Sequence, residues 1–168
     1  MIKKIVLGGG CFWGLQDLIR KQIGVTKTTV GYAGGEVENP TYDNHEGHAE
    51  VVEIEYDSGK TSLKKLFDFF FQIHNPTTKN QQGNDRGTSY RSVIFYTSDK
   101  EKNEANEMIS VVNKSKRWKD SVITTLEPFV KFTEAEDYHQ DYLIKNPHGY
   151  TCHWRRKCIS DERISLCR

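Results

Sequence analysis

The sequence predicts an α+β two-layer sandwich with a split β-α-β (ferredoxin-like) core, a mixed sheet and an irregular C-terminal tail. Two observations carry this prediction. The hydrophobic periodicities run in the order β-α-β-β-α-β and then α-β-α. Two adjacent strands between helices break the strict alternation of a doubly wound sheet. The 168 residues show no internal repeat, linker or second apolar core, so 1–168 is expected to form one domain, with 147–168 as a cysteine-bearing tail.

Ile2 to Leu7 reads as a short buried strand that stops at Gly8-Gly9-Gly10. Phe12, Leu15, Leu18 and Ile19 follow helical spacing, so a helix opens near Cys11. The β-branched stretch 25–32 and the run Ala49 to Tyr56 read as strands, separated by a loop at 36–48. Leu63, Leu66, Phe67, Phe70 and Ile73 mark a second helix, and a long polar loop follows from Asn75 to Ser89. Ser92 to Tyr96 is the next strand. Ser98 with Glu101 forms a capping box that opens a helix to about Ser115. Val122 to Leu126 reads as a strand, and Thr133 with Glu136 repeats the capping box before a helix ending near Asn146-Pro147.

Composition excludes several classes of function. A hydrophobic fraction of 36% with 28% charged residues is that of a soluble globular chain. A formal net charge of +1 carries no signature of a nucleic-acid or membrane partner. The basic run Arg155-Arg156-Lys157 reads as a solvated tail. The basic pair in MIKKIVLGGG precedes only three apolar residues, too few for an export signal. No stretch approaches the roughly 20 apolar residues of a membrane helix. A cytoplasmic monomer is therefore expected. In that compartment cysteines serve catalysis, redox chemistry or metal binding more often than structural disulfides. One sits at position 11; Cys152, Cys158 and Cys167 crowd the C-terminal end.

Gly8 to Gly14 is the segment that carries chemistry. A strand ends, glycines permit unusual backbone angles, and Cys11 falls at a helix start. Unpaired N–H groups and a partial positive charge at that end favour a thiolate, and the expected thiol pKa is lowered. The glycines are expected to leave space for a substrate at the sulfur. By position alone, Cys11 reads equally well as a small buried hydrophobe. Of Phe12 and Trp13, one is expected to face the core and the other to form an apolar wall beside the sulfur, which suits a substrate with an apolar end.

GCFWG at 10–14 resembles the signature of the type A peptide methionine sulfoxide reductases. GYAGG at 31–35, NPTY at 39–42, GHAE at 47–50 and HNPTT at 74–78 are similar to further segments of that family, in the same order. So are QGNDRGTSYRS at 82–92, EAEDYHQDYL at 134–143 and NPHGYTCH at 146–153. The resemblance implies reduction of the S-epimer of methionine sulfoxide, free or in oxidised proteins, with thioredoxin as reductant and no metal or organic cofactor. It implies Cys11 as nucleophile, Phe12 and Trp13 around the substrate methyl group, and Glu50 as the acid beside the sulfoxide oxygen. Tyr42, Asp85 and Tyr90 would complete the pocket, and Cys152 would resolve Cys11. The loop Asp43 to Glu46 is shorter than the family's usual one, so the pocket is expected to open beside Tyr42.

The chemistry fits these residue types. A sulfoxide is a poor electrophile whose oxygen gains charge as a thiol attacks its sulfur, so a proton donor must stand there. Glu50 can serve if burial keeps it protonated. Tyr42 and Tyr90 can donate hydrogen bonds, and Asp85 can orient a tyrosine or a water. Attack leaves Cys11 as a sulfenic acid, which a second thiol converts to a disulfide. A flexible tail bearing Cys152 suits that step, and Cys158 and Cys167 can relay the disulfide outwards or stand idle. Read alone, Glu50 is better taken as a surface carboxylate at a strand end, and Asp85 as a turn residue. Asp137 and His139 read as a structural pair. Three rival readings remain: a zinc module on Cys152, His153 and Cys158, a cysteine hydrolase with His139 or His48 as base, and a peroxide reductase.

Overall fold

The computed structural model describes residues 1–156. Cys158, Cys167 and Lys157 of the basic run lie outside the described residues. In chain order the elements are β1 (Ile2–Gly9), α1 (Phe12–Ile19), β2 (Val25–Ala33), β3 (Ala49–Asp57) and α2 (Leu63–Ile73). A small hairpin follows, β4 (Gln81–Gln82) with β5 (Asp85–Arg86), then β6 (Ser92–Tyr96), α3 (Asp99–Lys114), β7 (Thr125–Pro128), β8 (Phe132–Glu134) and α4 (Tyr142–Lys145).

Six strands form one mixed sheet in the order β7-β6-β1-β3-β2-β8 among the described residues. All its pairings are antiparallel except β6 with β7. Strand alternation divides the apolar residues between two faces. Ile5 and Leu7 of β1 join the main core with Val30, Val52, Ile54 and Ile94, under Phe67, Phe70 and Phe71 of α2 and Met108 of α3. Val6 points the other way, into a smaller cluster of Ala33, Val51, Val93 and Phe95 that Phe129 and Phe132 cover.

Local chemistry sets the helix starts. The Ser62 hydroxyl accepts the Lys65 N–H at 3.2 Å at the head of α2. Ser98 does the same for Glu101 at the head of α3, while the Glu101 carboxylate accepts the Thr97 N–H at 2.7 Å. The similar pattern at Thr133 and Glu136 does not open a helix. Thr133 lies in β8, paired with Tyr32 of β2, and Glu136 accepts the Tyr32 hydroxyl at 2.9 Å and the Tyr42 N–H at 3.1 Å. Edge pairing and two long-range donors hold this segment more firmly than a cap would. Only the single turn Asp137–His139 and the short α4 follow it. The strand expected at 122–126 begins at Thr125, because Val122 and Ile123 donate their N–H groups to Asn113 and Pro76 instead. The polar loop 75–89 is ordered by the β4–β5 hairpin and by Gln82, whose amide pairs with both backbone groups of Asn75.

Over its described part the basic run is anchored to the domain, with Arg155 exposed and Arg156 half-buried. Arg155 donates to Gln72 at 3.2 Å and lies over the Phe69 ring. Arg156 lies over Trp118 and Trp154 and donates its backbone N–H to the Gln72 carbonyl.

Candidate active site

β1 ends at a central position in the sheet, and its last residues turn sharply into α1. Gly10 takes φ 96°, a conformation that favours glycine. Cys11 is the N-cap residue of α1 and is only 7% exposed. The glycines admit the protein's own side chains rather than a substrate. A Cβ on Gly9 would crowd Phe70 and His74, and one on Gly10 would overlap Gln82. One on Gly14 would collide with Thr151 and His153. The space beside Gly10 and Gly14 is taken by the hairpin and by the chain around Cys152.

Glu50, in the second residue of β3, is 1% exposed and stands beside Cys11. Its Oε1 accepts the Phe12 N–H at 3.2 Å. Burial pushes its carboxyl up to about 8, partly opposed by the Phe12 bond and reinforced by Asp85. Glu50 is therefore largely neutral at pH 7, with Oε1 acting as the carbonyl oxygen. Oε2 makes no hydrogen bond among the described residues, which leaves it to carry the proton. A raised carboxyl pKa costs stability as pH climbs. The folded state holds a proton between 4.5 and about 8 that the unfolded chain releases, so stability falls across that window. Glu50→Gln is expected to be more stable than wild type at pH 9, by on the order of 4 kcal/mol, and equal to it below pH 4. Urea titrations at both pH values check this.

Burial, then Glu50, also push the Cys11 thiol far above its usual range, while the Trp13 N–H bond to sulfur opposes them. The expected lowering by the helix end does not occur. The Phe12 N–H of that end is committed to Glu50, and the cost of burying a thiolate exceeds the field of a helix of eight residues. Cys11 rests as a thiol.

Phe12 is fully buried between Tyr32 and His139. Trp13 is half-buried, stacks on Tyr142 at 3.7 Å and donates its Nε1–H to His139 Nδ1 at 3.0 Å. Tyr42 is 37% exposed and packs against His139 and His45. The short loop after it is closed, with Thr41 and Asn44 exchanging backbone bonds and His45 bridging Thr41 O to Ser89 Oγ. Tyr90 ends the turn Thr88–Tyr90 that precedes β6. Burial and then Glu50 raise both tyrosines, and Cys11 and Asp85 contribute to each, so the five groups share one pocket. Both phenols remain protonated donors.

Asp85 faces this pocket from β5, and it orients a tyrosine the sequence analysis did not select. Tyr150 donates its hydroxyl to Asp85 Oδ2 at 3.0 Å, and the Cys152 thiol lies 3.7 Å from the same oxygen. Cys152 is half-buried and Cys11 buried, neither is in a disulfide, and Cys152 receives the Cys11 backbone N–H. Burial and then Asp85 push its thiol up to about 11. The segment bearing Cys152 is not a loose tail. His153, 6% exposed, donates its Nε2–H to the Gly9 carbonyl at 2.6 Å and holds Cys152 against the Cys11 backbone. Gly14→Ala would drive Thr151 and His153 from this seat. It is expected to cost about 1–3 kcal/mol, as read by denaturation.

Glu136, Tyr142 and Tyr150 thus shape the site without having been assigned to it from sequence, and so do His139 and His153, which the sequence offered only in the rival hydrolase and zinc readings. EAEDYHQDYL and NPHGYTCH held the signal, since these five lie inside those segments. His48 faces away, with both ring nitrogens bonded to the Gly35 N–H and the Val37 carbonyl, so it offers no base to Cys11.

Two thiols set against one neutral acid equip the pocket for thiol redox chemistry on a substrate that must take up a proton. Comparison with known proteins agrees. The family model for peptide methionine sulfoxide reductase matches residues 3–166, and the chain belongs to that family of oxidoreductases. A curated peptide methionine sulfoxide reductase MsrA from Mycobacterium sp. (strain MCS) is 58% identical over 92% of this chain and 90% of its own. Mxr1 from Saccharomyces cerevisiae in reduced form is similar in structure, with TM-score 0.87 and 39% identity over 93% of each chain. A structure of Mxr1 in complex with Trx2 gives TM-score 0.65 and 28% identity, over 93% of this chain and 91% of that one.

Proposed function

We propose that Cys11 reduces the S-epimer of methionine sulfoxide, free or in proteins, and that Cys152 resolves the enzyme as a disulfide. The observation that carries this reading is the neutral Glu50 carboxyl, held by Phe12 N–H with its second oxygen free, beside the Cys11 thiol. As Cys11 Sγ bonds to the sulfoxide sulfur, Glu50 passes its proton to the oxygen and takes up the thiol proton; the hydroxyl then moves from the substrate sulfur to Sγ as the Sγ–S bond breaks and methionine is released. Tyr42 and Tyr90 donate to the same oxygen, while Phe12 and Trp13 wall the methyl group. A thiol and a sulfoxide become a sulfenic acid and a thioether. Cys152 then displaces hydroxide from Cys11, which leaves as water.

Asp85 holds Tyr150 and Cys152 in place for the second step. Thioredoxin is the reductant of this scheme, supported by the Mxr1 complex with Trx2. Cys158 and Cys167 would relay the disulfide outwards. The reading takes 1–168 as one catalytic domain with 147–168 as its cysteine-bearing tail, acting as a cytoplasmic monomer. No helix among the described residues is long and apolar enough to cross a membrane. The pairing of β1 and β2 on either side of β3 supports a split β-α-β core.

The test is a single turnover of pre-reduced protein with separated S- and R-methionine sulfoxide. Methionine from the S-epimer alone, with loss of two thiols per chain, is the expected result. Methionine from both epimers equally, or from neither, contradicts it.

A further inference from the structure

Resolution by Cys152 needs a base, because burial and Asp85 keep its thiol protonated at neutral pH. Two acceptors lie 3.7 Å from Cys152 Sγ, namely Asp85 Oδ2 and His153 Nδ1. Asp85 Oδ2 already accepts the Tyr150 hydroxyl at 3.0 Å. His153 Nδ1 has no other donor among the described residues. The tautomer of His153 follows from its other nitrogen. Nε2 sits 2.6 Å from the Gly9 carbonyl, which can only accept, so Nε2 carries the hydrogen and Nδ1 the lone pair. Gly14 leaves the space for this ring, since its Cβ would lie 2.5 Å from Nδ1.

We propose that His153 is the base that takes the Cys152 proton as Cys152 attacks the Cys11 sulfenic acid. The proposal rests on Cys152 being the resolving thiol. In this step the S–S bond forms between Cys152 and Cys11 as the Cys11 S–O bond breaks. The Cys152 sulfur is oxidised and the Cys11 sulfur reduced. The proton leaves Cys152 for Nδ1, the departing hydroxide takes up one proton, and water is the product. The imidazolium then returns its proton to solvent.

The groups facing His153 set its charge. Burial and, less, Arg156 lower it to about 4, against the opposing pull of the Gly9 carbonyl and Asp85. His74, at the end of α2, also feels it. The ring is neutral throughout the physiological range, which leaves its Nδ1 lone pair free, and it holds the Cys152 proton only in passing.

His153→Gln keeps an N–H for the Gly9 carbonyl and removes the basic nitrogen. One equivalent of methionine S-sulfoxide is added to reduced protein, with methionine and disulfide followed separately in quenched flow. Each protein's own methionine burst is the reference for its second step. In the variant, disulfide formation is expected to lag by about 10²–10⁴-fold, with Cys11 sulfenic acid accumulating as a dimedone adduct. Its rate should rise tenfold per pH unit from about pH 6 to 9 as Cys152 ionises to solvent, while wild type stays flat. A slowed variant with a flat profile would assign His153 a purely structural role and overturn the proposal. So would an unchanged disulfide rate. A wild-type profile rising tenfold per unit overturns it without any variant. Cys152→Ser separates the two readings, because a disulfide formed at the wild-type rate there would refute Cys152 as resolving thiol and leave His153 with no proton to accept.

Discussion

Replacing Cys11 with serine is expected to abolish methionine formation, lowering the single-turnover rate on the order of 10⁵-fold or more. The serine hydroxyl fits the same site and can accept the Trp13 N–H that the thiol accepts, so the fold should persist. What is lost is the sulfur. An alkoxide is far harder to form than a thiolate, and burial that already holds the Cys11 thiol up would hold a hydroxyl further still. Oxygen also has no accessible oxidised state to receive the sulfoxide oxygen. Quenched-flow assay of methionine, with thermal unfolding as a control for folding, checks the result. A folded variant that retains a tenth of the activity would remove Cys11 from the reaction.

Glu50→Gln is the second large effect, an expected loss of about 10²–10⁴-fold in methionine formation. The amide oxygen can still accept the Phe12 N–H, so geometry survives, but the amide cannot give a proton to the departing oxygen. The pH profile separates this from a packing defect. In the proposed scheme Glu50 works in its protonated form, and its carboxyl is pushed up to about 8. Wild-type activity should be full below that value and fall about tenfold per unit above it. The variant should show no such fall in the same window. A wild-type profile that rises between pH 7 and 9 would mean that ionised Glu50 is the working form.

Much of the site was legible because its signals are local. The stop of β1 at glycine, the helical spacing of Phe12, Leu15 and Ile19, and the acid in GHAE are each set by near neighbours. Elements with strong periodicity, α2 and α3 among them, fell where expected for the same reason. What was not legible depends on distant partners. Glu136 sits in a capping-box pattern, yet Tyr32 and Tyr42, 104 and 94 residues away in sequence, claim its carboxylate. His153 reaches Gly9 across 144 residues. Arg156 lies over the rings of Trp118 and Trp154, 38 and 2 residues away in sequence. The Cys11 pKa failed for a related reason. A helix start is visible in sequence, whereas the burial that outweighs its field is a property of the packed chain.

Cys11 as the attacking thiol is tested most directly by trapping it after one turnover. Reduced Cys152→Ser protein would be mixed with one equivalent of methionine S-sulfoxide and dimedone, then digested and mapped by mass spectrometry. One methionine per chain with the adduct on Cys11 is the predicted result. Methionine formed with the adduct on another cysteine, or with Cys11 still a free thiol, would contradict it.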